Sequence, residues 1–217
     1  MLSTYTFNTT YRPSAIPARH TPSLRLLEGG RFTPGQYAPA LVSEYEQTRL
    51  KFFSWGLKPA WGQPLRASQS IHLAPARHLF EHPAFRQAAI RQRCLIPADA
   101  YYVEEAAALG HRRISKLARR DGETFCLAGI YDTVRQSDGS LAYAFAIVTV
   151  PALDKLRPFG LQMPLVLSPA QEAAWLAPDS AHVTIDQLLA HPANHMLHIF
   201  PVEELHIHQD TIEQVAA

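Results

Sequence analysis

The sequence predicts an α+β fold built on a mostly antiparallel, curved or barrel-like sheet with short helices, and three observations predict it. Apolar, β-favouring runs dominate the middle of the chain. Helical patterns are short and scattered among them. The regular strand and helix alternation that a doubly wound parallel sheet requires is missing. With 217 residues, 47% of them hydrophobic and 18% charged, the chain has the size and balance of one folded domain, expected over residues 1–217. No internal repeat, low-complexity tract or linker divides it.

Taken in order, residues 1–40 carry Pro13, Pro17, Pro22, Gly29, Gly30, Pro34 and Pro39. These disfavour helix and predict extended segments laid over a scaffold, with regular structure starting only afterwards. Residues 50–57 read as a strand, and Trp-Gly-Leu-Lys-Pro-Ala-Trp at 55–61 turns the chain. Between residues 81 and 92, Phe85, Ala88, Ala89 and Ile90 recur at helical spacing with Pro83 in the first turn, which predicts a short amphipathic helix. The clearest signal is a hairpin: runs at 125–134 and 141–150 are separated by Gln-Ser-Asp-Gly-Ser, whose Asp-Gly supplies the turn. Ser168, Pro169 and Gln171 form a capping pattern that starts a helix running to about Trp175 and Leu176. The same logic at Thr184 and Gln187 starts another, ending near His191 and Pro192. A last strand is expected at 197–200 or 205–208.

Composition excludes several function classes. A formal net charge of +1 gives no global pull toward a polyanion, so any nucleic-acid contact must come from a local patch. Cys94 and Cys126 lie inside apolar runs and read as reduced core residues. No stretch approaches the roughly 20 apolar residues of a membrane span, and no basic-then-apolar leader opens the chain; a cytoplasmic protein without membrane contact is expected. There is no glycine-rich phosphate loop, no paired Cys-x-x-Cys and no Gly-x-Ser-x-Gly elbow, so neither cofactor nor metal is expected. His206 with His208 on a strand, and His191 with His195 at i,i+4, have spacings that can bind a metal, but no carboxylate or thiol accompanies them and surface histidines are the better reading. Arg112, Arg113, Lys116, Arg119 and Arg120 form a basic run that can track phosphates or form a solvated face, and the solvated face is preferred.

Several segments in order resemble the SOS response-associated peptidase (SRAP) family. Thr-Pro-Gly-Gln at 33–36 is similar to its Ala-Pro-Thr-Gln, and the motif at 55–61 to Trp-Gly-Leu-x-Pro-x-Trp. Pro-Ala-Phe-Arg at 83–86 and Arg-Cys-Leu-Ile-Pro-Ala-Asp-Ala-Tyr-Tyr at 93–102 resemble Pro-x-Phe-Arg and Arg-Cys-Leu-Ile-Pro-Ala-x-Gly-Phe-Tyr-Glu-Trp. Ala-Gly-Ile-Tyr at 128–131, the segment 149–152, Met-Pro-Leu-Val-Leu at 163–167, and Trp175-Leu176 follow in the family's order. Each motif is weak alone; their common order from about residue 33 to 176 is what carries the resemblance.

The resemblance implies a chemistry. In that family a cysteine at the second position, freed by removal of Met, bonds to the ring-opened sugar of an abasic site in single-stranded DNA. Asn, Glu and His side chains position the sugar and move protons, and arginines hold phosphates. Carried over position by position, the second residue is Leu2, the Asn falls on Leu73 and a nearby Arg on Pro75. The Glu falls on Val103, or on Glu104 if the register slips by one; the His falls on Gly160, its companion Arg on Gln162, and the Arg of the opening segment on Thr4. No catalytic residue is therefore assigned. Trp55 reads evenly as a base-stacking or a core aromatic, Trp61 as core. His72, Arg77 and His78 lie in the stretch facing the family's site and form either a replacement phosphate site or a solvated loop, and the solvated loop is preferred.

The expectation is a catalytically degenerate SRAP relative that binds single-stranded DNA weakly, with Trp55, His72, Arg77, Glu104 and Gln162 as contact candidates. One alternative is a protein- or small-ligand-binding module whose old pocket, lined by Leu2, Leu73, Val103 and Gly160, is apolar. The remote one is an active crosslinking enzyme or autopeptidase rewired through Glu104, Tyr101 or His72.

Overall fold

A computed structural model describes residues 2–7, 30–45, 47–57, 70–106, 112–135 and 139–202. In chain order the strands and helices are β1 (Leu2–Phe7), β2 (Gly30–Phe32), β3 (Tyr37–Glu44), β4 (Gln47–Trp55), β5 (Leu73–Pro75), α1 (Pro83–Arg91), β6 (Arg93–Ala98), β7 (Ala100–Ala106), β8 (Arg112–Arg119), β9 (Phe125–Arg135), β10 (Leu141–Pro151), β11 (Gln162–Pro164), β12 (Val166–Leu167), α2 (Pro169–Leu176), α3 (His182–Ala190) and β13 (Leu197–Val202). Three 3-10 segments, Ala76–His78, Asp154–Phe159 and Ala193–Met196, join them.

The strands form two sheets. β10, β4, β3, β6 and β9 pair in that order and β9 pairs back onto β10, so the ring closes into a small barrel; every contact in it is antiparallel except β4 with β10. β5 and β11 extend it at the end of β10, and β12 at β9. The second sheet, in the order β13-β8-β7-β1-β2, is wholly antiparallel. The chain passes from barrel to second sheet through Asp99, whose N–H donates to Thr6 O at 2.8 Å while its carboxylate accepts from Thr124 Oγ1 at 2.7 Å. Closure leaves no open edge in the ring, and where both faces are covered, as along β6 and most of β10, the strands read as continuous apolar runs, whereas β4 keeps polar residues at its start.

The expected hairpin is β9 with β10, and Gly139, at φ +84°, takes the left-handed conformation that glycine tolerates best. α1 buries Phe85, Ala88 and Ala89, and Ala84 N–H donates to His82 Nδ1 at 3.2 Å at its start. α2 starts as expected: Pro169 occupies the first turn and Ser168 N–H donates to Gln171 Oε1 at 2.8 Å. One buried core cluster draws on both sheets, with Trp55, Trp175, Tyr5, Tyr101, Phe7 and Phe53 as its largest side chains. Cys94 and Cys126 are buried thiols within it.

Three expectations are corrected. Regular structure does not wait until after residue 40: β1, β2 and the start of β3 precede it, because proline and glycine punctuate strands without preventing them. α3 starts at His182 with Ala181 at its N-cap, so Thr184 lies inside the helix instead of capping it. His191 closes α3 and His195 sits in a separate 3-10 segment, so the pair shares no helix face. Among the described residues the last strand is β13; the alternative at 205–208, with His206 and His208, and Trp61 lie outside the described residues. Among the described residues no helix is long and apolar enough to cross a membrane, and no group of histidine, cysteine and carboxylate side chains is arranged to hold a metal.

Candidate functional site

The site is built where β7 of the second sheet meets the end of the barrel. Register sets Leu2 of β1 directly across from Val103 of β7, beyond an irregularity between Leu2 and Thr4. Val103 pairs on its other side with Ser115, and Glu104 with Ile114. Because successive side chains alternate across a strand, Val103 shares the inner face with Tyr101, and Glu104 takes the opposite face. Tyr101, Val103, Leu117, Leu156, Gln162 and Met163 line a cavity of about 10 Å³, the room of about one water molecule. The hydroxyl of Tyr101 is buried, and desolvation pushes its pKa far above the ordinary phenol range.

The end of β10 gathers the other positions. Thr149 pairs with Pro75 of β5 on one side and Pro164 of β11 on the other, and its buried hydroxyl donates to Gln162 Oε1 at 3.3 Å. Leu73 sits beside Ile147. Gly160, at φ +142°, ends the 3-10 segment just before β11, with its N–H on Arg157 O at 3.0 Å. The positions at 2, 73, 75, 103, 160 and 162 thus fall around one region, and their side chains are apolar or uncharged.

The expected contact residues separate. Gln162 lines the cavity. Trp55 does not present a ring to solvent: it is fully buried, 5.4 Å from Tyr5 and stacked 6.1 Å from Phe145, with its indole N–H donating to His72 O at 3.0 Å. The Trp-Gly turn therefore serves the core, and Trp55 offers no stacking face. His72 is half-buried, its Nε2 is 2.9 Å from Ser70 Oγ, and burial lowers its pKa. Arg77 is exposed and donates from Nε to His78 Nε2 at 2.8 Å. Glu104 is corrected as a cleft residue, because the pleat turns it to the other side of β7. Of the residues expected to line an apolar ligand pocket, Val103 lines the cavity, and Leu73 and Gly160 stand outside its lining. The cavity is far smaller than the roughly 300–1,000 Å³ of a small-molecule site. The basic run also divides: Arg119 is held by Asp121 through Nε at 2.8 Å and through Nη2, and Arg120 is exposed in the turn beyond β8.

A model of the family described as SOS response associated peptidase (SRAP) matches residues 20–206 of the chain. The chain belongs to the SRAP family. Among its relatives, the abasic site processing protein YoqW of Bacillus subtilis (strain 168) is 26% identical over 159 residues, covering 73% of this chain and 71% of that protein. The abasic site processing protein YoaM of the same organism is 27% identical over 145 residues, covering 67% and 64%. Solved structures share the fold: a Bacteroides thetaiotaomicron protein superposes with a TM-score of 0.70 at 23% identity over 79% of this chain and 77% of that one. A Bordetella bronchiseptica protein does so with 0.71 at 21% identity over 93% and 100%. β1 precedes the residues matched by the SRAP model, so Leu2 takes its place in the site from its pairing with β7.

The sequence named Tyr101 through the rewired-enzyme alternative, and Tyr101 lines the cavity; it did not single out Leu117, Leu156, Met163 or Thr149 as neighbours of the site. Tyr101, Leu117 and Thr149 carried a usable signal, the alternation along β7, β8 and β10. Leu156 and Met163 arrive from a 3-10 segment and a three-residue strand with no period to read.

Proposed function

We propose that this SRAP protein binds single-stranded DNA, abasic strands included, without capturing the sugar covalently. The observation that carries the proposal is the cross-strand pairing of Leu2 with Val103. Those are the positions to which the family resemblance assigns the sulfur nucleophile and the carboxylate, and hydrocarbon occupies both. An alkyl side chain cannot attack an aldehyde, and neither thiol of the chain can substitute: Cys94 and Cys126 are buried, and burial pushes Cys94 well above the usual thiol range. The polar side chains lining the cavity are those of Tyr101 and Gln162, and Thr149 reaches it through its bond to Gln162. The amide and the Thr149 hydroxyl can hydrogen-bond a sugar or phosphate but do not titrate near neutral pH, and desolvation holds the Tyr101 phenol protonated, so none of the three serves as general base. Relatives named as abasic site processing proteins support DNA as the ligand class.

Purified protein is incubated with an abasic single strand and an intact one, then read by fluorescence anisotropy and on a denaturing gel. Reversible binding of the abasic strand with no SDS-stable band is expected. An SDS-stable adduct would overturn the loss of chemistry, and absence of binding to either strand would overturn DNA as the ligand.

A further inference from the structure

The second sheet has two unlike faces. Tyr5, Tyr101 and Leu117 on the inner face are buried in the common core. On the outer face, Phe200 of β13 pairs with Lys116 of β8, Lys116 pairs with Tyr102 of β7, and Tyr102 pairs with Thr4 of β1. Directly paired residues project from the same face, so aromatic, cation and aromatic stand side by side on three neighbouring strands. Phe200 is 39% exposed, and Tyr102 and Lys116 are half-buried. Arg31 of β2, exposed, pairs with Thr6 on this same face and holds its guanidinium 5.6 Å from the centre of the Tyr102 ring. Among the described residues no carboxylate pairs with Arg31 or Lys116. Glu104, two residues along β7 from Tyr102, is the carboxylate on this face among the described residues of the sheet.

We infer that this outer face is a second contact surface for single-stranded DNA, with Phe200 and Tyr102 as stacking platforms and Lys116 and Arg31 as phosphate contacts. Rings interleaved with cations along one face of an antiparallel sheet, standing over the small buried residues Thr4 and Ala118, are what a flexible strand needs: any base has a face to stack, and the cations track the backbone. The partner is committed by that complementarity, since an apolar protein surface would leave both cations unpaired. The positive field continues past the sheet edge: His198, paired with Ala118 on this face, has its pKa lowered by burial and by the nearby Arg120 and Lys155. The pleat places this surface on the opposite side of β7 from the cavity beside Val103, so contact here does not depend on an abasic sugar. The inference rests on the reading that the protein binds single strands at all.

The probe is a fluorescein-labelled oligothymidylate without abasic sites, titrated at several salt concentrations into the full chain. The variants are Arg31→Ala with Lys116→Ala, and Phe200→Ala alone, each checked by circular dichroism for a native fold. Removal of two phosphate contacts is expected to lower the slope of log K against log salt by about 1.4, at roughly 0.7 per contact on a single strand. Loss of one stacked base is expected to weaken binding roughly 5- to 150-fold with little change in slope. Unchanged affinity and slope in the folded variants would overturn the inference while leaving the cleft reading intact. Native protein that binds an abasic strand but not oligothymidylate would also overturn it. Native protein that binds neither strand would remove both readings.

Discussion

At the scale of single residues, the site is defined by what the backbone does not negotiate. Gly56 follows Trp55 at φ +146°, and a Cβ there would stand 2.9 Å from Ser70 Cβ and Oγ and 3.1 Å from His72 Cδ2. The glycine is what allows Ser70 and His72 to close over the Trp55 turn. His72 is held there in the state it prefers when half-buried, the neutral one, since desolvation lowers its pKa below the ordinary 6.5. The sign of the consequence follows from linkage: between the folded pKa and about 6.5 the unfolded chain binds more protons at this position than the native one, so stability rises with pH there and falls as the solution is acidified. His72→Gln keeps the backbone carbonyl that accepts from Trp55 but removes the titration. Urea midpoints measured from pH 7.5 downward should fall less steeply in the variant than in the parent; parallel curves would show that His72 is not held neutral by its surroundings.

At the scale of elements, one side chain ties two helices to the barrel. Arg93 at the start of β6 is 5% exposed. It donates from Nε to Trp175 O at 2.7 Å and from Nη1 to Ala89 O and Ile90 O at 2.8 Å each, so it serves carbonyls at the C-terminal ends of both α2 and α1. Those are the ends where backbone carbonyls lack helical partners and where a positive charge is favoured. Trp175 adds a second tie, its indole N–H reaching Cys94 O at 3.0 Å and Gly129 O at 3.2 Å. Arg93→Met keeps the stem and removes the donors, leaving buried carbonyls unpaired at about 1–3 kcal/mol each, so a loss of roughly 3 kcal/mol or more is expected in chemical denaturation. Arg93→Lys should recover only part of it, because an ammonium lacks the planar fork that reaches two helices at once. A Met variant as stable as the parent would mean that water or rearranged backbone satisfies those carbonyls. Capping signals made α1 and α2 legible in the sequence. Their docking was not, since it depends on contacts 82 residues apart between Arg93 and Trp175.

At the scale of the whole molecule, the α+β class, the curved sheet and the hairpin of β9 with β10 could be read from local pattern and turn chemistry. Barrel closure could not, because it is decided by the return of β9 and β10 and by the parallel contact of β4 with β10, which no local period encodes. The resemblance pointed to positions 2, 73, 103 and 160 as a set, and which of Val103 and Glu104 lines the cavity could be read only from the register and pleat of β7. The same connectivity has a thermodynamic consequence. β6 leaves the barrel and, after Asp99, continues as β7 of the second sheet, and a single apolar cluster contains Phe53 and Phe145 from the barrel with Tyr5, Tyr101 and Leu117 from the sheet. Neither sheet can expose its inner face without stripping the other's, so the two are expected to unfold together. With Trp55 and Trp61 replaced by Phe, Trp175, hydrogen-bonded to the Cys94 and Gly129 carbonyls, reports on the barrel, whereas far-ultraviolet circular dichroism reports on all the strands. Urea titrations followed by the two signals should give coincident midpoints and one slope. A fluorescence transition displaced from the dichroism one would show that the second sheet opens independently, and the Leu2 and Val103 pairing could then be lost with the barrel still closed.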